Sequence, residues 1–226
     1  MAQYFDLIVF DWDGTLMDSA DVIVRSIRRA SVDAGFPAPA PEAARHIIGL
    51  GLMEAMAHLF PEADPESCRR LSDHYRHHYL KASDEGIFLF EGAEDAVATL
   101  SDAGCLLAVA TGKSRRGLES AFDASGLRDY FHASRCADES FSKPHPAMLF
   151  ELMDELGVDA GKTLMIGDTT HDLQMAANAG VASLALCHGA HSREALEASG
   201  PLACLNDFTE LKSWLSSHVL RRESHV

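Results

Sequence analysis

Short runs made almost wholly of apolar residues recur along the chain, and they constrain its fold more than any other feature of the sequence. The clearest runs are residues 7–10, 106–110, 163–166 and 182–186, and residues 203–205 form a shorter one. Because they do not alternate apolar with polar positions, they are typical of strands covered on both faces, as in parallel sheets. Amphipathic helical patterns lie between the later runs, which predicts an α/β fold with a doubly wound parallel sheet. The predicted helices of this part are residues 92–103, 114–125, 145–156, 170–179, 192–199 and 207–217.

The stretch from about residue 19 to residue 86 interrupts this alternation, because it contains no convincing strand pattern. We predict there a helical cap domain at 18–86, inserted into an α/β core at 1–17 and 87–220, with a flexible tail at 221–226. Inserted caps of this kind commonly cover an active site at the strand ends. The predicted cap helices are residues 19–34, 41–47, 51–58 and 65–82.

The charge and cysteine content of the chain limit its partners and its compartment. The chain carries 34 acidic and 19 basic residues, a net charge of −15, which disfavours binding to nucleic acid and to anionic membrane surfaces. Its five cysteines are odd in number and form no CxxC pair, so we expect free thiols rather than disulfides or a zinc site. The sequence has no signal-peptide pattern and no apolar run near the ~18 residues of a membrane span. We therefore expect a cytoplasmic protein, either a monomer or a small homo-oligomer.

Residues that carry chemistry follow the predicted strands. In a doubly wound sheet ligands bind outside the carboxyl ends of the strands, so these loops should converge on one edge. Several carboxylates packed together repel each other unless a cation compensates them, and an all-oxygen acidic site suits Mg²⁺. A metal, a lysine and small donors are what a phosphoryl group requires during transfer, which indicates a small phosphorylated metabolite as the partner. The residues concerned are Asp11, Asp13, Thr111, Gly112, Lys113, Lys143, Asp168 and Asp172.

Four short motifs follow one another in a specific order. The pattern DxDGTL begins at Asp11, a threonine follows the second strand at Thr111, Lys143 precedes a proline, and GDxxxD begins at Gly167. In these motifs the chain resembles the haloacid dehalogenase superfamily of phosphohydrolases, in its phosphoglycolate phosphatase-like branch. The resemblance covers nearly the whole chain, and the helical insert looks like the C1-type cap of that superfamily.

The resemblance implies a role for each catalytic residue. Asp11 would attack phosphorus and become an aspartyl phosphate, and Asp13 would protonate the leaving oxygen and then activate the hydrolytic water. Thr111 and the backbone N–H of Gly112 would hold phosphate oxygens, and Lys143 would neutralise charge at the nucleophile. The residues alone are compatible with these roles but do not distinguish the nucleophile from the acid.

The resemblance also implies a magnesium site. Asp11, the backbone carbonyl of Asp13 and Asp168 would hold the ion, and Asp172 would either bind it directly or orient its ligands. Taken singly, each of these acids has an ordinary structural explanation as a turn residue or a helix cap. It is their joint occurrence in order that favours the functional interpretation.

The substrate is harder to predict, since it depends on the cap. Arg45 falls where relatives place a loop facing the active site, although a surface arginine is an equally good interpretation of the sequence. Lys113 directly follows the phosphate-binding pair and is the other candidate for the distal end of the substrate. A small anionic monoester such as 2-phosphoglycolate fits, but sugar phosphates and pyrophosphate fit as well.

Two further functions stay open at this point. In the superfamily an acid at the position of Asp13 is typical of phosphatases and phosphomutases, so a β-phosphoglucomutase-like mutase or a pyrophosphatase is the enzymatic alternative. A regulatory or binding module on the same fold is the non-enzymatic alternative. Such modules usually lose the nucleophile or the metal-binding acid, whereas this chain keeps Asp11 and Asp168.

Overall fold

A single parallel sheet of six strands forms the centre of the computed structural model, which describes residues 5–83, 86 and 88–218. The strand order is β3-β2-β1-β4-β5-β6, and every neighbouring pair is parallel. This order places the first strand at the centre of the sheet and confirms the predicted fold class. The strands are β1 at Leu7–Phe10, β2 at Leu106–Thr111, β3 at Ala133–Cys136, β4 at Thr163–Gly167, β5 at Ala182–Leu186 and β6 at Cys204–Leu205.

Both faces of the central strand are buried, as the uninterrupted apolar runs predict. Ile8 and Phe10 pack into one hydrophobic cluster, whereas Leu7 and Val9 pack into another on the opposite face. All four side chains are fully buried. Each such side chain contributes about 1.5–3 kcal/mol to folding, so β1 holds the two helical layers against one sheet.

Ten α-helices complete the described chain, each within two residues of its predicted bounds. Those of the α/β part are α5 at Ala93–Asp102, α6 at Arg115–Ser125, α7 at Ala147–Leu156, α8 at Thr170–Ala179, α9 at Arg193–Ala198 and α10 at Phe208–His218. Those of the insert are α1 at Ala20–Asp33, α2 at Pro41–His46, α3 at Leu52–Leu59 and α4 at Pro65–Ser83. No helix among the described residues is long and apolar enough to cross a membrane.

Strand β3 is the one strand among the described residues that the sequence does not predict. Its residues read Ala-Ser-Arg-Cys, and only Cys136 among them is buried. The strand lies at the edge of the sheet and is formed by its pairing with β2 rather than by its own apolar pattern. A polar edge strand of this kind gives no periodicity signal, which is why the run was not recognised.

The four helices of the insert have a hydrophobic cluster of their own, in which Ile27, Met56 and Leu71 are almost completely buried. The two chain crossings between insert and sheet lie side by side, since the N–H of Asp18 donates to the carbonyl of Phe88 at 2.9 Å. The exact division into a cap at 18–86 and a core at 1–17 and 87–220 stays a prediction. The predicted tail at 221–226 lies outside the described residues.

Candidate active site

Three buried carboxylates meet at the carboxyl edge of the central strands. Asp11 follows β1, Asp168 follows β4, and Asp172 lies in the first turn of α8. One oxygen of each lies within 4.8 Å of the others, and each residue is at most 1% exposed. The sheet order explains this convergence, because β1 and β4 are neighbours and their ends share one edge.

Lys143 brings a positive charge into the middle of this group. Its Nζ lies 2.7 Å from Oδ1 of Asp11 and 2.6 Å from Oδ1 of Asp172, and its side chain is completely buried. Burial alone would lower the pKa of Lys143, but the two carboxylates outweigh that effect and raise it above the usual value. The lysine is therefore a permanent cation in the site.

The buried carboxylates are not fully compensated by this one lysine. Burial raises the pKa of Asp11 well above its usual value, opposed mainly by Lys143, and raises that of Asp168 to about 7, with Asp172 adding to the shift. Oδ2 of Asp11 has no hydrogen-bond partner among the described residues, and the single ammonium group of Lys143 is shared between Oδ1 of Asp11 and Oδ1 of Asp172. Buried carboxylate oxygens that lie close together with so little compensation fit a hard divalent cation.

Asp168 is held rigidly by its neighbours. The hydroxyl of Thr15 donates to its Oδ1 at 2.6 Å, and the backbone N–H of Ala190 donates to its Oδ2 at 2.7 Å. A Cβ atom added at Gly14 or Gly189 would collide with this side chain. Glycine at these two positions lets the backbone approach Asp168 closely and fix its orientation.

Asp172 both caps α8 and contacts Lys143. Its Oδ2 accepts hydrogen bonds from the N–H and the hydroxyl of Thr169 at 3.1 and 2.7 Å, while the hydroxyl accepts in turn from the Asp172 N–H. This capping box satisfies donors at the start of α8. The other oxygen of Asp172 faces Lys143, so the helix cap also orients the lysine.

Asp13 lies on the side of the site that faces the helical insert. Both of its oxygens lie 2.8 Å from Nζ of Lys113, and the hydroxyl of Ser19 also donates to Oδ1 at 2.7 Å. The ammonium group of Lys113 in turn donates to the hydroxyl of Tyr79 at 3.1 Å. Burial lowers the pKa of Lys113, but Asp13 outweighs it and raises that pKa above its usual value.

The loop before α3 rests directly on the candidate phosphate-binding residues. Thr111 ends β2 and is buried, and Gly112 follows it. A Cβ atom added to Gly112 would lie 2.5 Å from the carbonyl oxygen of Leu50 and 2.7 Å from that of Gly49. The N–H of Gly51 also donates to the hydroxyl of Ser142 at 2.7 Å. The insert therefore lies closed against the sheet at this point.

Two imidazoles of the α/β part fix the end of α2. His171 and His191 place Nε2 at 2.8 and 3.0 Å from the carbonyl oxygen of His46. The N–H of Thr170 donates to Nδ1 of His191, so Nε2 of that ring carries the proton and donates to the carbonyl. Burial lowers the pKa of His191 to about 4, which keeps the ring neutral.

Arg45 is not brought to the carboxylates by any contact that the structure describes. Its guanidinium forms an ion pair with Asp21 on α1, and its side chain is 36% exposed. Of the predicted site residues, the structure thus brings together Asp11, Lys143, Asp168 and Asp172, and separately Asp13 with Lys113. A substrate-binding role for Arg45 stays a prediction.

Ser19, Tyr79 and Thr15 contact the predicted site residues, although the sequence did not point to them. Thr15 lies inside the first motif and was therefore within reach of prediction from position alone. Ser19 and Tyr79 come from the insert, where the face that each helix turns toward the site depends on packing. The i, i+4 spacing of Tyr75 and Tyr79 marks a shared helix face but does not say what that face contacts.

Comparison with known proteins agrees with this geometry. The family model of haloacid dehalogenase-like hydrolases matches residues 8–186. The chain is 35% identical over 224 residues to the probable phosphatase IndB of Dickeya dadantii, covering 96% of each chain. It is 30% identical over 209 residues to the phosphoglycolate phosphatase of Pectobacterium atrosepticum, covering 90% of this chain and 89% of that one. A hydrolase structure from Pseudomonas syringae shares the fold, with a TM-score of 0.86 at 24% identity, covering 95% of this chain and 98% of that one.

Proposed function

The chain belongs to the haloacid dehalogenase-like hydrolases and is a phosphatase of that family, and from this premise we propose that it hydrolyses a small phosphate monoester, resembling 2-phosphoglycolate, with Mg²⁺. The observation that carries the proposal is the buried group of Asp11, Lys143, Asp168 and Asp172, in which Oδ2 of Asp11 has no hydrogen-bond partner among the described residues. The choice of substrate rests on the similarity to a phosphoglycolate phosphatase. A cytoplasmic location and a monomer or small homo-oligomer stay predictions.

In the proposed reaction Asp11 is the nucleophile. One of its carboxylate oxygens attacks phosphorus, the bond between phosphorus and the ester oxygen breaks, and an aspartyl phosphate forms on the protein. Lys143, at 2.7 Å from Asp11, offsets the negative charge of the arriving phosphate. Thr111 and the N–H of Gly112 bind phosphate oxygens and hold phosphorus in line for the attack.

Asp13 moves the protons. It gives a proton to the departing ester oxygen in the first step, so that an alcohol leaves instead of an alkoxide. In the second step the same carboxylate takes a proton from a water molecule, whose oxygen attacks phosphorus. Inorganic phosphate leaves, and the carboxylate of Asp11 is restored.

The proposed donor set at the edge of the sheet suits Mg²⁺, because it consists of oxygen atoms, most of them from buried carboxylates. Asp11, Asp168 and the backbone carbonyl of Asp13 are the proposed ligands, with Asp172 either binding directly or orienting them. When bound, the ion would offset negative charge on the phosphate and on the carboxylates. The raised pKa values of Asp11 and Asp168 support this, since a cation relieves the burial of several carboxylates.

The helical insert is proposed to act as a cap at residues 18–86 that closes over the substrate. Its loop already approaches Gly112 closely, and closure of such a loop excludes water from the reacting groups. The two adjacent crossings near Asp18 and Phe88 are the proposed hinge.

The test is a hydrolysis screen of the purified full chain over 2-phosphoglycolate, glucose 1-phosphate and pyrophosphate, with Mg²⁺ and with excess chelator. We expect release of inorganic phosphate from 2-phosphoglycolate, and a loss of more than about 10³-fold in rate with chelator. Full activity in chelator would contradict the proposed metal. Isomerisation of a sugar phosphate without phosphate release would instead favour the mutase.

A further inference from the structure

Asp13, the proposed acid–base group, already has polar partners at both of its carboxylate oxygens. Lys113 lies 2.8 Å from Oδ1 and 2.8 Å from Oδ2 of Asp13, and Ser19 donates a further hydrogen bond to Oδ1. The two charged side chains are 8% and 13% exposed, so this ion pair is shielded from solvent. It lies under the insert, on the side of the site where the leaving group of the substrate must lie.

This arrangement conflicts with the proton transfer that Asp13 has to perform. An oxygen of Asp13 must face the leaving oxygen of the substrate at hydrogen-bond distance for the proton to move. Lys113 therefore has to withdraw from at least one of these oxygens, and the freed carboxylate has to take up a proton from water, before the first step. A shielded ammonium group that gives up its carboxylate without gaining another anionic partner is left as an uncompensated charge, which is strongly unfavourable.

Tyr79 holds Lys113 from the other side. The ammonium group donates to the phenol oxygen of Tyr79 at 3.1 Å and lies 4.8 Å from the centre of the ring. Tyr75 stacks on Tyr79 with ring centres 5.6 Å apart. The insert thus supplies an aromatic wall that keeps Lys113 at the leaving-group position without itself carrying a negative charge.

We propose that the leaving group of the substrate carries its own anion, which replaces Asp13 as the partner of Lys113 and so releases Asp13 for proton transfer. The substrate class is a phosphate monoester whose leaving group bears a carboxylate or a second anionic group close to the ester oxygen. Lys113 binds that anion, and Tyr79 is a positioning residue that holds Lys113 during the exchange. The inference rests on the proposed phosphatase reaction and assigns its specificity to a change of ion-pair partner.

The proposed mechanism predicts that a substrate without such an anion reacts slowly. A neutral leaving group gives Lys113 nothing to bind, so Asp13 stays paired and protonation of the leaving oxygen is slow. Removing Lys113 should therefore raise the rate with substrates whose leaving group is neutral and lower it with substrates whose leaving group is anionic. A lysine that only stabilises the fold, or only attracts phosphate, would affect both kinds of substrate in the same direction.

The experiment compares two substrates of matched size, 2-phosphoglycolate and 2-hydroxyethyl phosphate, on the wild-type chain and on Lys113→Met. For Lys113→Met we expect kcat to fall about 10-fold or more with 2-phosphoglycolate and to rise about 3-fold or more with 2-hydroxyethyl phosphate, in line with a lost charge-assisted contact. A proportional fall with both substrates overturns the inference. A wild-type chain that hydrolyses neither of them overturns the proposed function instead.

Three further substitutions and one matched control separate this mechanism from a structural effect. Lys113→Arg keeps a cation and should keep the preference for 2-phosphoglycolate. Tyr79→Phe keeps the ring and should shift the ratio of the two kcat values in the same direction as Lys113→Met, by less. When Lys113→Met is introduced into an Asp13→Asn chain, the rise in kcat with 2-hydroxyethyl phosphate should vanish, because Lys113 acts on this substrate through Asp13. If the rise persists in the double variant, the proposal is wrong. Lys162→Met, at an exposed position, is the matched control and should leave the ratio unchanged.

Discussion

The site has an inner half and an outer half, and they are built in different ways. The inner half consists of Asp11, Lys143, Asp168 and Asp172, whose side chains are at most 1% exposed and which all come from the α/β part. The outer half consists of Asp13, Lys113, Ser19 and Tyr79, of which the last two come from the insert. In the proposed mechanism the sheet would supply the fixed charges for phosphoryl transfer, while the insert would control Asp13, the group proposed to move protons.

The electrostatics of the halves differ in the same sense. In the inner half three carboxylates share one lysine, so burial raises the pKa values of Asp11 and Asp168. In the outer half one carboxylate faces one ammonium group at 2.8 Å. From the insert, Ser19 donates a hydrogen bond to the carboxylate and Tyr79 accepts one from the ammonium group. We therefore expect an added cation to stabilise the inner half, whereas the outer half would become active, in the proposed mechanism, only when its ion pair opens.

The largest effect is expected from a substitution in the inner half alone. Asp11→Asn removes the nucleophile, and we expect the rate of phosphate release to fall by at least about 10⁴-fold, with the thermal unfolding temperature retained or raised because a buried charge is removed. Steady-state kinetics and thermal unfolding check both points. Labelled phosphate trapped covalently on the wild-type chain but not on Asp11→Asn supports the assignment, and trapping on the variant would refute it.

A smaller effect is expected from a substitution that displaces the insert and leaves the inner half in place. Gly112→Ala places a methyl group 2.5 Å from the carbonyl of Leu50, so the loop before α3 must move away from the site. We expect kcat/KM to fall about 10- to 100-fold, equivalent to about 1.4–2.8 kcal/mol, because closure of the insert becomes strained. The matched control is Gly161→Ala, where an added Cβ has no atom within 4 Å among the described residues. Equal kinetics of the two variants would show that the approach at Gly112 does not matter.

How much the sequence predicts differs between the two halves for a physical reason. The inner half follows from motifs at strand ends, since the order of parallel strands fixes which loops meet, and Asp11, Lys143, Asp168 and Asp172 were all predicted. The contact of Tyr79 cannot be predicted from the sequence, because it depends on how α4 packs against α1 and α3 and so on where its side chains meet Lys113. Strand β3 was missed for a related reason, since pairing with β2 rather than its own residues forms it.

The dependence of stability on pH and metal sharpens the electrostatic contrast. The pKa of Asp168 is raised to about 7 by burial first and by Asp172 next, so ionised Asp168 opposes folding when no cation is bound. The stability that protonated Asp168 contributes is fully present below its pKa in the unfolded chain, about 4. It is lost as the pH rises through its pKa in the folded chain, about 7.

Mg²⁺ should therefore raise the unfolding temperature more at about pH 8 than at about pH 5.5. A difference of about 1.5 kcal/mol, roughly one pKa unit, corresponds to about 3–6 °C at this chain length. Thermal scans with and without Mg²⁺ measure it, and Asp168→Asn should abolish the difference. An equal or larger effect of Mg²⁺ at the lower pH would contradict the assignment of Asp168 as a ligand.

The smallest expected effect asks whether the outer half extends to Arg45. Arg45 is paired with Asp21, so it can bind a substrate anion only by giving up that carboxylate. A charge-assisted contact is worth about 1.5–3 kcal/mol and an exposed ion pair about 0.2–1 kcal/mol, so Arg45→Ala should raise KM for 2-phosphoglycolate by about 2- to 100-fold. Asp21→Asn frees the guanidinium and should lower that KM by about 2- to 5-fold, while KM for 2-hydroxyethyl phosphate stays constant in both variants. If neither variant changes KM for 2-phosphoglycolate, Arg45 belongs to the surface of the insert, and Lys113 alone accounts for recognition of the second anion.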